Sequence, residues 1–143
     1  MSSRDVIALV GDIREAAHRF IAQELNARGL AGLAPSHGAI LSALFRDVEI
    51  RMTDLAARIR RDKSTVTVLV RKLERHGYVE KLRDPDDSRG VRVRLAARGR
   101  ALEPVVREIS DALLERTYRG FTTEEKEALI ASLGAILRNW RGG

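Results

Sequence analysis

Three groups of side chains in this 143-residue sequence are of types that do chemistry: three histidines, a knot of aspartates, and a dense set of arginine, lysine and hydroxyl residues. His18, His37 and His76 fall on three different predicted helices. No His-x-x-x-His pair puts two histidine ligands on one helix face, and Glu15-x-x-His18 alone supplies too few ligands for a metal. There is no cysteine, which excludes disulfides, thiolate metal sites and cysteine redox sensing, and a reducing cytoplasm is the natural setting. Neither a Gly-x-Ser-x-Gly element nor a phosphate-binding glycine-rich loop occurs. Asp84, Asp86 and Asp87 lie in Asp84-Pro85-Asp86-Asp87-Ser88-Arg89-Gly90, a run of turn formers that lacks the rest of a calcium-loop pattern. They read as turn-shaping residues. No enzyme, no cofactor and no bound metal is expected from these residues.

The cations carry more information. The chain has 26 Lys and Arg against 20 Asp and Glu, a formal charge of +6. Residues 51–100 hold 15 basic and 7 acidic residues, so the whole excess sits in one central segment. Such asymmetry points to a polyanion partner, above all nucleic acid; the plain alternative is a solvated face that keeps the protein in solution. With three Phe, two Tyr and one Trp, little is present to stack unpaired bases, which favours duplex DNA over RNA. A non-specific or architectural nucleic-acid-binding protein is the alternative, and a measured specificity ratio separates the two.

Helical spacing and turn formers supply the elements that must position these cations. Apolar residues recur with a period near 3.6 over residues 4–28. A second helix starts at Pro35, a third at the N-cap Thr53, and a fourth spans Asp62–His76, followed by Gly77 at a left-handed C-cap position. The period then changes to 2: Val79–Arg83 and Val91–Leu95 read as two strands of a hairpin. A long helical pattern runs from Gly99 to Arg119, with Pro104 as a kink or a true start. A last helix opens on the capping box Thr122-Thr123-Glu124-Glu125 and runs to Trp140. The expected fold is mainly α with a small β-hairpin. No run of about 18 apolar residues marks a membrane span, and no signal peptide is read at the N-terminus.

The third and fourth helices, joined by a tight turn at Arg60-Arg61 and followed at once by a hairpin, have the spacing of a winged helix-turn-helix. On a helical wheel, Val66, Leu69, Val70 and Leu73 of the fourth helix face inward. Ser64, Thr67, Val68, Arg71 and Arg75 face outward, flanked by Lys63, Thr65 and Lys72. Arginine takes guanine bidentately, hydroxyls serve bases or phosphates, and Val68 suits a thymine methyl in a major groove. In the hairpin, Val91, Val93 and Leu95 are expected to face inward, leaving Arg92 and Arg94 for phosphates. Arg89 at the tip suits a narrow minor groove, with Asp87 holding its guanidinium extended.

At this point nearly the whole chain resembles the MarR family of transcriptional regulators. The matching stretches are Leu55-Ala56, Asp62-Lys63-Ser64-Thr65-Val66-Thr67, Leu73-Glu74-Arg75-His76-Gly77-Tyr78-Val79, the wing signature Asp87-Ser88-Arg89, and Leu95 to Gly99. The resemblance implies one domain over 1–143, with a winged helix-turn-helix lobe at 35–98 and dimerisation helices at 4–28 and 99–140. It implies a homodimer on a pseudo-palindromic duplex operator, usually a repressor released by a small aromatic or anionic effector, with no membrane partner. Ligands of the family sit near the second helix, where Gly38 leaves space and His37 offers a hydrogen bond, although a plain surface histidine is the commoner reading of such a residue. The chain departs from the family pattern at Arg60 and Arg61 in the turn, at Val68 where Arg is common, and at Ala96 where a capping Thr is usual.

Overall fold

The apolar spacings produce helices close to where they are expected. The computed structural model describes residues 1–142 and divides into two units, 1–110 and 111–143, each considered by itself. In the first unit a 3-10 turn, Ser3–Asp5, leads into α1 (Val6–Ala27). Then come α2 (Pro35–Arg46), β1 (Glu49–Arg51), α3 (Met52–Ile59) and α4 (Lys63–Arg75). The hairpin β2 (Val79–Arg83) and β3 (Val91–Leu95) is followed by α5 (Ala97–Arg100) and α6 (Glu103–Thr117). The second unit is the end of α6 together with α7 (Thr123–Arg141), which starts on the expected capping box: Thr122 accepts from the Glu125 N–H and Glu125 accepts from the Thr122 N–H. Among the described residues no helix is long and apolar enough to cross a membrane.

Three expectations are corrected. The hairpin is part of a three-stranded antiparallel sheet of order β1-β3-β2, because Glu49, Ile50 and Arg51 pair with Arg94, Val93 and Arg92. That pairing holds Arg51 extended at the N-cap of α3, so Thr53 is inside the helix and does not cap it. The long helix after Gly99 is two helices. Pro104 sits in the first turn of α6, where its missing N–H costs nothing, so it marks a start.

The core of the first unit lies where α2, α3, α4 and the sheet meet. Ile40, Leu41, Leu44, Leu55, Val66, Val70, Leu73, Val79 and Val93 are fully buried there. Each contributes roughly 1.5–3 kcal/mol by leaving water. Two glycines are required by geometry. Gly77 takes φ +77°, as the left-handed exit from α4 demands. Gly99 lies against the Tyr78 carbonyl, where a Cβ would fall 2.0 Å from the oxygen. Ala96 stands at the N-cap of α5 with no side-chain bond, so the capping hydroxyl is indeed lost there.

The α2 N-terminus is held by an unexpected group. Ala34 has no side chain with which to cap, and His37 Nδ1 accepts the Ala34 N–H at 2.9 Å from inside the helix. His37 is buried, not the surface histidine expected, and its Nε2 has no hydrogen-bond partner among the described residues. Burial, then the charges of Lys72 and His76, hold its pKa below the ordinary 6.5. Only the neutral ring keeps a lone pair for Ala34, so the neutral form belongs to the folded state. Stability from His37 is therefore complete above the unfolded value and is lost as pH falls below it. The urea midpoint should fall between neutral pH and about pH 5. His37→Gln, which keeps an acceptor for Ala34 without titrating, should flatten that decline; equal slopes in both proteins would remove His37 as its cause.

The turn between α3 and α4 carries strain. Arg60 sits at φ 59°, ψ 44°, the left-handed region that favours glycine. An L side chain there costs about 1–2 kcal/mol, offset in part by the extra freedom of glycine in the unfolded chain. Arg60→Gly should raise stability by roughly 0.5–1 kcal/mol in chemical denaturation. A lower midpoint would show that the Arg60 side chain contributes more than the strain removes.

Candidate nucleic-acid interface

The site is built on α4. Asp62 caps the helix, its Oδ1 accepting the Thr65 N–H at 2.7 Å and the Ser64 hydroxyl at 2.8 Å. The Thr65 N–H, aided by the Thr65 and Ser64 hydroxyls, holds the Asp62 carboxyl below the usual range. Along the helix Val66, Val70 and Leu73 enter the core, and Leu69 is half-buried beside them. The opposite face is therefore presented outward, as the wheel predicts. Val68 is 61% exposed, an apolar side chain with nothing to cover it. Lys63, Thr65, Arg71 and Arg75 are exposed beside it. Among the described residues Lys63, Arg71 and Arg75 make no ion pair or hydrogen bond through their side chains. Glu74, the carboxylate within α4, is drawn aside to Lys81 at 3.3 Å.

Some expected contact residues are occupied elsewhere. The Ser64 hydroxyl serves the cap, and Thr67, half-buried, donates its hydroxyl to the Lys63 carbonyl at 2.8 Å. Lys72 is half-buried, its charge acting on His37. Arg60 and Arg61 flank the helix start in the turn, and Arg61 reaches the Ser36 hydroxyl at 3.4 Å.

The wing loop of residues 84–90 is closed by backbone bonds. The Asp84 N–H donates to the Gly90 carbonyl at 3.0 Å, and the Gly90 N–H to the Asp87 carbonyl at 2.9 Å. Asp87 Oδ1 accepts the backbone N–H of Arg89 at 2.9 Å. The Asp87 carboxylate thus shapes the turn and does not hold the Arg89 guanidinium, which has no partner among the described residues. In β3, Val93 and Leu95 are buried as expected, while Val91 lies at the open end and is exposed. Arg92 does not face solvent freely: its guanidinium lies against Asp84 at 3.3 Å, Asp86 at 3.4 Å and Glu49 at 3.7 Å. Arg94 is exposed and pairs across the hairpin with Glu80 at 2.9 Å.

Sequence reasoning missed β1 and the ion cluster it creates. Asp84 is 3% exposed. It also binds Arg51 Nε at 3.0 Å, and Arg51 contacts Asp86 at 3.4 Å. The signal was present as the alternation Val48-Glu49-Ile50-Arg51, but three residues are too short a strand to stand out without the partner edge of β3.

The chain is similar in sequence and fold to known proteins. The sequence pattern described as the MarR family matches residues 33–91. The transcriptional regulator SarZ of Staphylococcus haemolyticus is 30% identical over 100 residues, covering 70% of this chain and 67% of that protein. A mutant MarR of E. coli, solved in complex with operator DNA, superposes with a TM-score of 0.81 at 21% identity, covering 96% of this chain and 99% of that one. BpsR of Bordetella bronchiseptica, solved in a study of how 6-hydroxynicotinic acid regulates its DNA binding, gives a TM-score of 0.80 at 21% identity, over 92% and 98% of the two chains. The fold, the helix-turn-helix with its wing and the SarZ similarity together place this chain in the MarR family, as a winged-helix DNA-binding transcriptional regulator.

Proposed function

We propose that this regulator acts as a homodimer on a pseudo-palindromic operator, with α4 in the major groove, and that it is a repressor released by a small aromatic or anionic effector. One observation carries the operator reading: the outward face of α4 combines unpaired Arg71 and Arg75 with an uncovered Val68 and an exposed Thr65. Cations alone bind any duplex through phosphates, but an arginine beside a bare methyl-bearing side chain suits base edges. Lys63 and Lys72 on α4 and Arg94 on the wing add phosphate attraction, whereas Ser64, Thr67 and Arg92 are bonded within the chain. Arg89, free at the wing tip, is assigned to the minor groove flanking each half-site, with Asp87 setting the backbone from which it projects. The effector reading is supported by the ligand named for BpsR. His37 is buried with Nδ1 bonded to the Ala34 N–H, so Nε2 is the atom it has left for a ligand.

Dimer formation is supported by apolar faces that the single chain leaves bare. On α1, Ile7 is 64% and Ile13 56% exposed; on α7, Ile130 is 58% and Trp140 77% exposed. Leu129, Leu133 and Leu137 are also exposed, and Ile136 is half-covered. A second copy is a partner that covers such faces by symmetry. Light scattering at micromolar concentration should give twice the chain mass, and a stable folded monomer would defeat the dimer reading.

The operator reading is tested by selecting bound sequences from a random duplex library. It should yield two half-sites about 10 base pairs apart. Arg71→Ala should then cost ~1–3 kcal/mol on the selected site and relax preference at one base pair per half-site. Arg89→Ala should instead flatten the preference for A·T-rich flanks. Equal losses on all sequences for both variants would support the non-specific nucleic-acid-binding alternative.

A further inference from the structure

The wing tip is a seven-residue loop, 84–90, exposed along most of its length, yet one carboxylate at its base is buried. Asp84 is 3% exposed, and a buried charge persists only where donors surround it. It has three besides its own backbone bonds: Oδ1 takes the Asp86 N–H at 3.0 Å and Arg92 Nε at 3.3 Å, and Oδ2 takes Arg51 Nε at 3.0 Å. Asp86 adds a second carboxylate, 3.4 Å from both guanidinium groups. Two features make this more than a turn. Arg51 and Arg92 are directly opposite in the β1–β3 register, a like-charge pair that repels unless an anion lies between them. Arg51 is also the N-cap residue of α3, the first helix of the helix-turn-helix. The carboxylate of the wing is thereby bonded to the entrance of the DNA-reading motif. The loop closes tightly over it: a Cβ on Gly90 would fall 2.9 Å from the Asp84 Cβ. The Asp86 N–H, with help from Arg92 and Arg51, also holds the Asp84 carboxyl below its ordinary range, so it stays charged at neutral pH.

We propose that Asp84 is the positioning residue of the wing: through Arg51 and Arg92 it clamps the loop bearing Arg89 to the strand that leads into α3, and so fixes where Arg89 meets the duplex relative to α4. The proposal rests on the assignment of Arg89 to the minor groove. It makes Arg92 a structural member of the clamp and gives Asp84 an effect on sequence preference although it touches no base. A residue that only shapes the turn would change stability and leave flank preference alone.

Two measurements on the full chain decide it. The first is amide hydrogen exchange on the free protein, comparing wild type with Asp84→Asn and with Arg51→Met, which opens the clamp from its other side without touching the loop. Exchange should quicken in both variants at residues 84–90 and at 49–51, with α2 and α4 unchanged; unchanged exchange in the wing and β1 overturns the clamp. The second is competition binding on duplexes with A·T-rich or G·C-rich flanks. Asp84→Asn should weaken binding to the A·T-flanked duplex about tenfold, flatten the flank preference as Arg89→Ala does, and add nothing on the Arg89→Ala background. Losses that multiply in the double variant, or a flank preference kept by Asp84→Asn but lost by Arg89→Ala, overturn the positioning role. Should Arg89→Ala itself leave flank preference intact, the minor-groove assignment falls, and with it the part of the proposal that concerns DNA. The exchange experiment then still upholds or overturns the clamp.

Discussion

Everything the DNA-binding lobe presents depends on one packed face, that of α4. Val66, Val70 and Leu73 lie in the core against α2 and α3, and a helix is rigid at about 100° per residue. Burying three side chains on one side therefore fixes the direction of Val68, Arg71 and Arg75 on the other without any bond to them. That is why the outer face is free to carry unpaired cations and an uncovered valine: its orientation is held from behind. The cap at Asp62 starts the helix, and the left-handed Gly77 ends it, so the face also has a defined length.

The wing is held by different means. A hairpin of two five-residue strands has little core of its own, and only Val79, Val93 and Leu95 anchor it deeply. Charge takes over where apolar area runs out. Arg51 and Arg92, Asp84 and Asp86 form a compact set of ion pairs in which each cation meets both anions. One member is buried and the others are partly or largely exposed, so the set sits between a surface ion pair of small value and a buried pair that cannot lose a partner cheaply. The basic excess of the central segment is thus divided in purpose. Part of it holds the wing, and another part, in Lys63, Arg71, Arg75 and Arg89, is left without partners among the described residues.

Local irregularities cluster where this lobe meets its turns. Arg60 is held in a left-handed conformation, Ala34 and Ala96 stand at N-caps without capping side chains, and His37 provides an internal substitute at the first of these. Each is a place where a commoner residue would lower the free energy of the fold. None disturbs the inner face of α4, which explains how the lobe retains its shape.

Much of this architecture is written in local sequence. The 3.6-residue spacing of Val66, Leu69, Val70 and Leu73, the change to a period of 2 at Val91–Leu95, Pro35 at a helix start, Gly77 at a helix end and the capping box at Thr122 are all short-range signals. They located α2, α4, β2, β3 and α7 within a residue or so, and with them the outward face of α4. What only the tertiary structure decided is what depends on residues distant in sequence. Strand β1 exists because the free edge of β3, about forty residues on, offers it hydrogen bonds, and it moves the N-cap of α3 from Thr53 to Arg51. His37 is buried because α4 lies over the α2 N-terminus, which no spacing within α2 announces. Arg92 alternates outward with period 2 exactly as a phosphate contact would. It is nonetheless bound to Asp84, because a charge chooses the nearest opposite charge in space, and pattern along a chain carries no information about that distance.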